Sequence, residues 1–169
     1  MKRIVYVGSN TDAKREGIRV LAVDEATGAI ETRRVLKVEN AIYMALSADG
    51  ARLYAAKGGQ SQPTGLAAFR VKGDDLEAFD FVATHETVPC HVSLSPDGRA
   101  LAFAEYSHGT AGLVDLNGDG TFDKASLKET TLTDPVGPNQ PRQDRPHAHC
   151  ALFTPDSARL CVWTWARTA

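Results

Sequence analysis

The stretch His91-Val-Ser-Leu-Ser-Pro-Asp97-Gly98-Arg-Ala-Leu-Ala-Phe-Ala104 decides the fold. It holds two short runs of strand-forming residues on either side of an Asp-Gly pair. Asp-Gly supplies the positive φ that a tight two-strand turn requires, so the segment reads as strand, turn, strand. Two other segments repeat the pattern. One is Tyr43-Met-Ala-Leu-Ser-Ala-Asp49-Gly50-Ala-Arg-Leu-Tyr-Ala-Ala56. The other is Cys150-Ala-Leu-Phe-Thr-Pro-Asp156-Ser157-Ala-Arg-Leu-Cys-Val-Trp163. Between them run further short apolar segments broken by Gly, Asp, Asn and Pro, and helical periodicity is hard to find.

The turn aspartates Asp49, Asp97 and Asp156 recur at intervals of 48 and 59 residues, the second interval carrying an insertion. A period of about 40–50 residues with four strands each is the pattern of a β-propeller. With strands labelled A to D from the channel outward, strand A falls at 42–46, 91–95 and 149–153. Strand B falls at 53–56, 100–105 and 160–164, and strand C at 65–70 and 111–115. Strand D falls at 79–84 and, weakly, at 130–133. Residues 3–7, 18–23 and 33–37 then match strands B, C and D of a blade with no strand A before them. Closed propellers often complete such a blade with a strand from the other end of the chain. The expectation is an all-β, truncated propeller over 1–161, with about two whole blades and two partial ones, against a range of about 4–8 blades for closed rings. Its open sheet edges predict poor solubility, inactivity or self-association.

Composition agrees with a globular chain: of 169 residues, 43% are hydrophobic and 24% charged. The net charge of −2 offers nothing to nucleic acid or an anionic membrane. No apolar run reaches the roughly 20 residues of a membrane helix, and Met1-Lys2-Arg3 leads straight into strand-like residues with no signal-peptide region. The three cysteines, Cys90, Cys150 and Cys161, form no Cys-x-x-Cys pair. An odd number without a framework fits free thiols in a reducing cytoplasm.

Three motifs carry a family resemblance. The segment Pro89-Cys90-His91-Val92 through Pro96-Asp97-Gly98-Arg99 is similar to a repeat of bacterial 6-phosphogluconolactonases. Arg142-Gln143-Asp144-Arg145-Pro146-His147-Ala148-His149 resembles their Arg-Gln-x-x-Pro-His-Ala-His motif, the most specific of the three. Tyr6-Val7-Gly8-Ser9-Asn10-Thr11 resembles their opening Tyr-Val-Gly-Ser-Tyr-Thr. The resemblance spans about residues 3 to 161 and implies a seven-bladed lactonase propeller. Two departures stand out: Glu105-Tyr106 where the family usually has Asn-Tyr, and Asp156-Ser157 in place of Asp-Gly.

The resemblance implies hydrolysis of a sugar lactone, 6-phosphoglucono-1,5-lactone of the pentose phosphate pathway. A muconate-type lactonising enzyme and a non-catalytic binding propeller are the alternatives. Lactone hydrolysis needs a base to activate water, donors for the oxyanion and, for a phosphorylated sugar, cationic forks. His147 or His149 is the candidate base and Arg142 the anion binder. Arg145 is a second cation for the phosphate, with His91 and Gln143 as polar wall. His147 and His149 project to the same side of the strand if it is regular.

Neither a metal nor a cofactor is expected. Cys90, His91, His147, His149 and Cys150 could be drawn as a zinc site. They lack Cys-x-x-Cys spacing, however, and adjacent Cys-His pairs point to opposite strand faces. The run Asp115-Leu-Asn117-Gly-Asp119-Gly120-Thr-Phe-Asp123 resembles the start of an EF-hand loop. Its twelfth position is Ser126, where a bidentate glutamate is needed, so a hairpin turn is expected.

The tail Val162-Trp163-Thr164-Trp165-Ala166-Arg167-Thr168-Ala169 holds both tryptophans of the chain. Read in another phase, its codons permit Val-Asp-Leu-Gly-Thr-Asp-Arg. Lactonase propellers carry the similar Ala-Asp-Leu-Gly-Thr-Asp-Arg at this point of the repeat. Residues 162–169 are therefore expected to be an out-of-frame tail.

Overall fold

The computed structural model describes residues 1–12, 17–84, 87–133 and 137–165. Four antiparallel sheets follow one another along the chain. The first holds β1 (Lys2–Gly8), β2 (Ile18–Asp24) and β3 (Ile30–Leu36). Two four-stranded blades come next. One is β4 (Tyr43–Leu46), β5 (Arg52–Lys57), β6 (Gly65–Lys72) and β7 (Asp75–Ala83). The other is β8 (His91–Leu94), β9 (Ala100–Glu105), β10 (Thr110–Leu116) and β11 (Phe122–Thr131). A short helix, α1 (Gln140–Gln143), leads into a two-stranded sheet of β12 (Ala148–Phe153) and β13 (Leu160–Thr164). In each blade the strands pair in sequence order, as up-and-down propeller blades do.

Strands β5 and β9 show why blades stack side by side. Both are buried on both faces, so they read as continuous apolar runs. Successive side chains point to opposite faces. Leu53 and Ala55 of β5 join Ile18, Val20 and Phe69 in one core, while Tyr54 and Ala56 join Val92, Leu101 and Phe103 in the next. On β9 the other face, Ala102 and Ala104, packs on Ala148 and Ala151 of β12. β5 and β9 are therefore partitions with a hydrophobic core on either side. Phe103 fits because Gly112 opposes it: a Cβ at Gly112 would lie 2.3 Å from the phenyl ring.

Polar ties cross the same interfaces. The Tyr54 hydroxyl donates to the Gly120 carbonyl at 3.0 Å, and the Ser93 hydroxyl to the Ala151 carbonyl at 2.6 Å. The Asp80 carboxylate of β7 accepts the Phe122 N–H of β11 at 2.8 Å and meets Lys124 at 3.0 Å. Each A–B corner is closed locally. Ser47, Ser95 and Thr154 each donate a side-chain hydroxyl to the turn aspartate two residues on, at 2.5, 2.6 and 2.5 Å respectively.

The outer strands depart from the sequence expectation. The last D strand is not 130–133 but Phe122–Thr131, and β7 begins at Asp75 instead of 79. Both carry many exposed charged residues, so pairing to strand C sets their length and hydrophobicity does not. The segment 117–121 is the expected hairpin turn, closed by Asn117 N–H to Thr121 O at 2.9 Å. Of the anomalous tail, 162–164 complete β13, which pairs with β12 as far as Thr164. Residues 166–169 lie outside the described residues. Among the described residues no helix is long and apolar enough to cross a membrane.

Candidate functional site

The A strands begin at one end of the stack, and the candidate residues gather there. Two segments build the site: the loop 105–109 after β9, and the stretch 137–149 that enters β12. Glu105, 2% exposed, organises the first. Its Oε1 accepts the N–H groups of Ser107 and His108 at 3.2 and 3.4 Å, and the His108 ring lies 3.3 Å from Oε2. Gly109 closes the turn at φ 67°, a left-handed conformation that glycine adopts without strain. Its bare Cα lets the loop approach the other segment; a Cβ there would sit 2.3 Å from the Pro146 carbonyl.

Tyr106, thus placed, supports two histidines. Its carbonyl oxygen lies 3.0 Å from His147 Nδ1, and its ring stacks on His147 with centroids 4.3 Å apart. It meets His149 edge-on at 5.8 Å. A carbonyl can only accept, so Nδ1 of His147 carries a proton. Nε2 of His147 faces Asp144 at 3.1 Å. Both ring nitrogens are engaged and the residue is only 7% exposed.

His147 and His149 do not share one face of a regular strand. His147 precedes β12, and the pairing with β13 slips by one residue between Ala148 and Cys150, leaving His149 in a bulge. Bulges re-aim side chains. Here the result is a buried His147 and an exposed His149, whose ring has no hydrogen-bond partner among the described residues.

Arg142 and Gln143 lie on α1 and not in an open loop. The Gln143 side chain is spent on that turn: Oε1 accepts the Asn139 N–H at 3.0 Å. Arg145 pairs with its neighbour Asp144, Nε to Oδ2 at 3.0 Å. The Arg145 and His147 contacts hold the Asp144 carboxyl below its ordinary range. Arg142 makes no ion pair among the described residues; its guanidinium sits 5.6 Å from the Trp165 ring centroid. Asn139, Arg142, Gln143 and Trp165 line an open cleft of about 450 Å³.

His91 is a tie between sheets. Its ring meets Tyr43 at 4.3 Å, its Nδ1 accepts the Ala151 N–H at 3.3 Å, and its Nε2 lies 3.5 Å from Cys150 Sγ. Because Ala151 occupies the Nδ1 lone pair, Nε2 carries the ring proton and points at sulfur. That tautomer leaves Nε2 no lone pair for a metal ion. Burial, then the nearby His149, lowers the His91 pKa, while burial raises the Cys150 thiol. Both shifts favour the neutral pair over a thiolate–imidazolium one. Among the described residues no three His, Cys, Asp or Glu side chains are grouped to hold a metal.

The structure therefore brings His147, His149 and Arg142 to one rim, commits Gln143 and Arg145 locally, and sets His91 between blades. Sequence reasoning missed Tyr106 as the support of both histidines and Trp165 as part of the cleft. Tyr106 appeared there only as half of a departure from the family pattern, and Trp165 only as an oddity of composition.

Residues 4–164 match the family described as Lactonase, 7-bladed beta-propeller. The chain belongs to that lactonase family. It is 29% identical over 158 residues to a 6-phosphogluconolactonase of Bacillus subtilis, an alignment covering 92% of this chain and 44% of that one. A 6-phosphogluconolactonase of Formosa agariphila is 26% identical over 156 residues, covering 89% and 43%. Among solved structures, the periplasmic gluconolactonase of Pseudomonas aeruginosa superposes with a TM-score of 0.85 at 25% identity. That match covers 97% of this chain and 47% of that one. The chain thus spans a little under half the length of these relatives. Its four sheets are lactonase blades, two whole and two partial.

Proposed function

We propose that this lactonase chain contributes to the hydrolysis of a sugar lactone, most specifically 6-phosphoglucono-1,5-lactone in the pentose phosphate pathway. One observation carries the reading: a bulge turns the exposed His149, whose ring makes no hydrogen bond among the described residues, outward at the rim, on the same side as the Arg142 guanidinium, which makes no ion pair among them. The names of the relatives support the same chemistry.

In this reaction the His149 ring takes a proton from water, whose oxygen bonds to the lactone carbonyl carbon. The tetrahedral oxyanion collapses, the ring C–O bond breaks, and the proton passes from His149 to the departing ring oxygen. The product is the open-chain acid. Arg142 holds the anionic end of the substrate by charge-assisted hydrogen bonds. His147, fixed between Tyr106 and Asp144, positions the backbone that presents His149. Arg145 adds positive charge nearby, and Gln143 and His91 keep their neighbours in place. The unpaired cysteines support a reducing cytoplasmic setting. Strands β1 and β13 each pair on one side only among the described residues, which supports self-association of the chain through those edges.

The test is lactone hydrolysis followed by acid release. Loss of a general base costs about 10²–10⁴-fold, so His149→Gln is expected to fall by that amount. Arg142→Ala is expected to raise KM more than it lowers kcat. A His149→Gln chain within threefold of the parent rate would sink the assignment of the base. A parent chain that neither hydrolyses the lactone nor binds 6-phosphogluconate would sink the lactone reading itself.

A further inference from the structure

The cleft beside α1 contains a residue that the lactone reading does not use. Trp165 is 58% exposed, an unusual state for the largest side chain. It is nonetheless well placed. Its backbone N–H donates to the His147 carbonyl at 3.0 Å, which anchors it to the segment carrying the histidines. Its ring lies 6.0 Å from the His149 ring and 5.6 Å from the Arg142 guanidinium carbon. Trp165 and Arg142 therefore present an apolar plate and a cation around one opening, with the His149 imidazole beside the indole. Asn139 and Gln143 complete the walls.

We infer that Trp165 is the sugar-binding platform of this site, its indole face receiving the C–H face of an anionic aldonic acid or its lactone while Arg142 takes the anionic group. The inference rests on the lactone reading and deepens it, and it holds for this chain as it stands, because Trp165 lies in the stretch 162–169 expected to be read out of frame. Two arguments support it. A sugar ring has an apolar face that needs an apolar partner, and an indole offers a rigid flat one at small entropic cost. The cleft volume of about 450 Å³ falls in the range of small-molecule sites, roughly 300–1,000 Å³. The charge pattern selects the ligand class. The other arginine of the motif, Arg145, is paired with Asp144, whereas Arg142 stays open to an incoming anion among the described residues. A neutral sugar would use the plate but forgo the cation, so the phosphorylated acid is preferred.

The chain has only two tryptophans, so Trp163→Phe leaves Trp165 as the sole indole reporter. The probes are 6-phosphogluconate, gluconate and inorganic phosphate. A saturable change in Trp165 emission is expected with 6-phosphogluconate, at an affinity at least tenfold above those of gluconate and phosphate. Arg142→Ala in the same background is expected to lower that affinity tenfold or more. Calorimetry on Trp165→Ala, with circular dichroism confirming the fold, is expected to show a tenfold loss, largely recovered by Trp165→Phe. If calorimetry shows 6-phosphogluconate binding while Trp165 emission stays unchanged and Trp165→Ala keeps full affinity, the platform is wrong and the lactone reading survives. If calorimetry shows no binding and the parent chain shows no turnover, both fall together.

Discussion

Removal of the Asp80 carboxylate tests whether neighbouring blades are held by buried charge-assisted bonds. Asp80 lies on β7, yet its Oδ2 accepts the Phe122 N–H of β11 at 2.8 Å. Phe122 is 3% exposed, so in Asp80→Ala that N–H loses its partner in a place water reaches poorly. A hydrogen bond to a charged group contributes about 1.5–3 kcal/mol. The Lys124 pair at 3.0 Å adds at most about 1 kcal/mol, because the lysine is 59% exposed. The expected loss is about 2–3 kcal/mol, or about 4–12 °C in melting temperature for a chain of this size. Lys124→Ala alone should shift it by only about 1–3 °C. Burial pushes the Asp80 pKa up, but the Phe122, Lys124 and Phe81 contacts outweigh it, and the net shift is downward from 3.8. The folded pKa is thus depressed, so the carboxylate's stabilisation is complete above pH 3.8 and is lost as pH falls through the folded value. The difference between parent and Asp80→Ala, measured by urea melts from pH 7 downward, should shrink only below that point. A penalty under about 0.5 kcal/mol, or one independent of pH, would mean that the Asp80 carboxylate does not hold the two blades together.

Two further outcomes follow from the geometry. Gly109→Ala puts a methyl group 2.3 Å from the Pro146 carbonyl at a left-handed φ, which should cost about 2 kcal/mol and break the Tyr106–His147 stack; a melt within 1 °C of the parent contradicts it. The open edges of β1 and β13 should make the chain associate at micromolar concentration, and light scattering that returned only the 18.2 kDa monomer would refute this.

The inner strands were legible because they carry two signals at once. A turn aspartate with its glycine marks the corner, and an apolar run marks the buried strand, so β9 was placed to the residue. The outer strands lack the second signal. In β11 most side chains face water, and only pairing with β10 sets its length. The site was legible as a motif but not as an arrangement. Sequence placed His147 and His149 together by assuming regular alternation, and a slipped pairing separates them. Nothing in the spelling of Arg142, Gln143 and Arg145 tells which would be taken by a neighbour; that depends on Asn139 and Asp144 in three dimensions.

The three A–B corners differ at one position, and the difference bears on how repeats diverge. Gly50 and Gly98 occupy the left-handed position at φ 71° and 72°, while Ser157 holds φ 60° there. A side chain at that position costs about 1 kcal/mol. The Ser157 hydroxyl, however, accepts the N–H of Asp97 in the neighbouring corner at 3.3 Å. Every other side-chain bond of the Ser157 corner is internal, so a duplicated corner can close on itself whatever its neighbours are. Replacing the glycine is then a step by which an anonymous repeat acquires an address in the ring, since the new hydroxyl adds a bond to one particular neighbour. Order among near-identical blades can therefore arise at their turns, one residue at a time, with the strands left as they were.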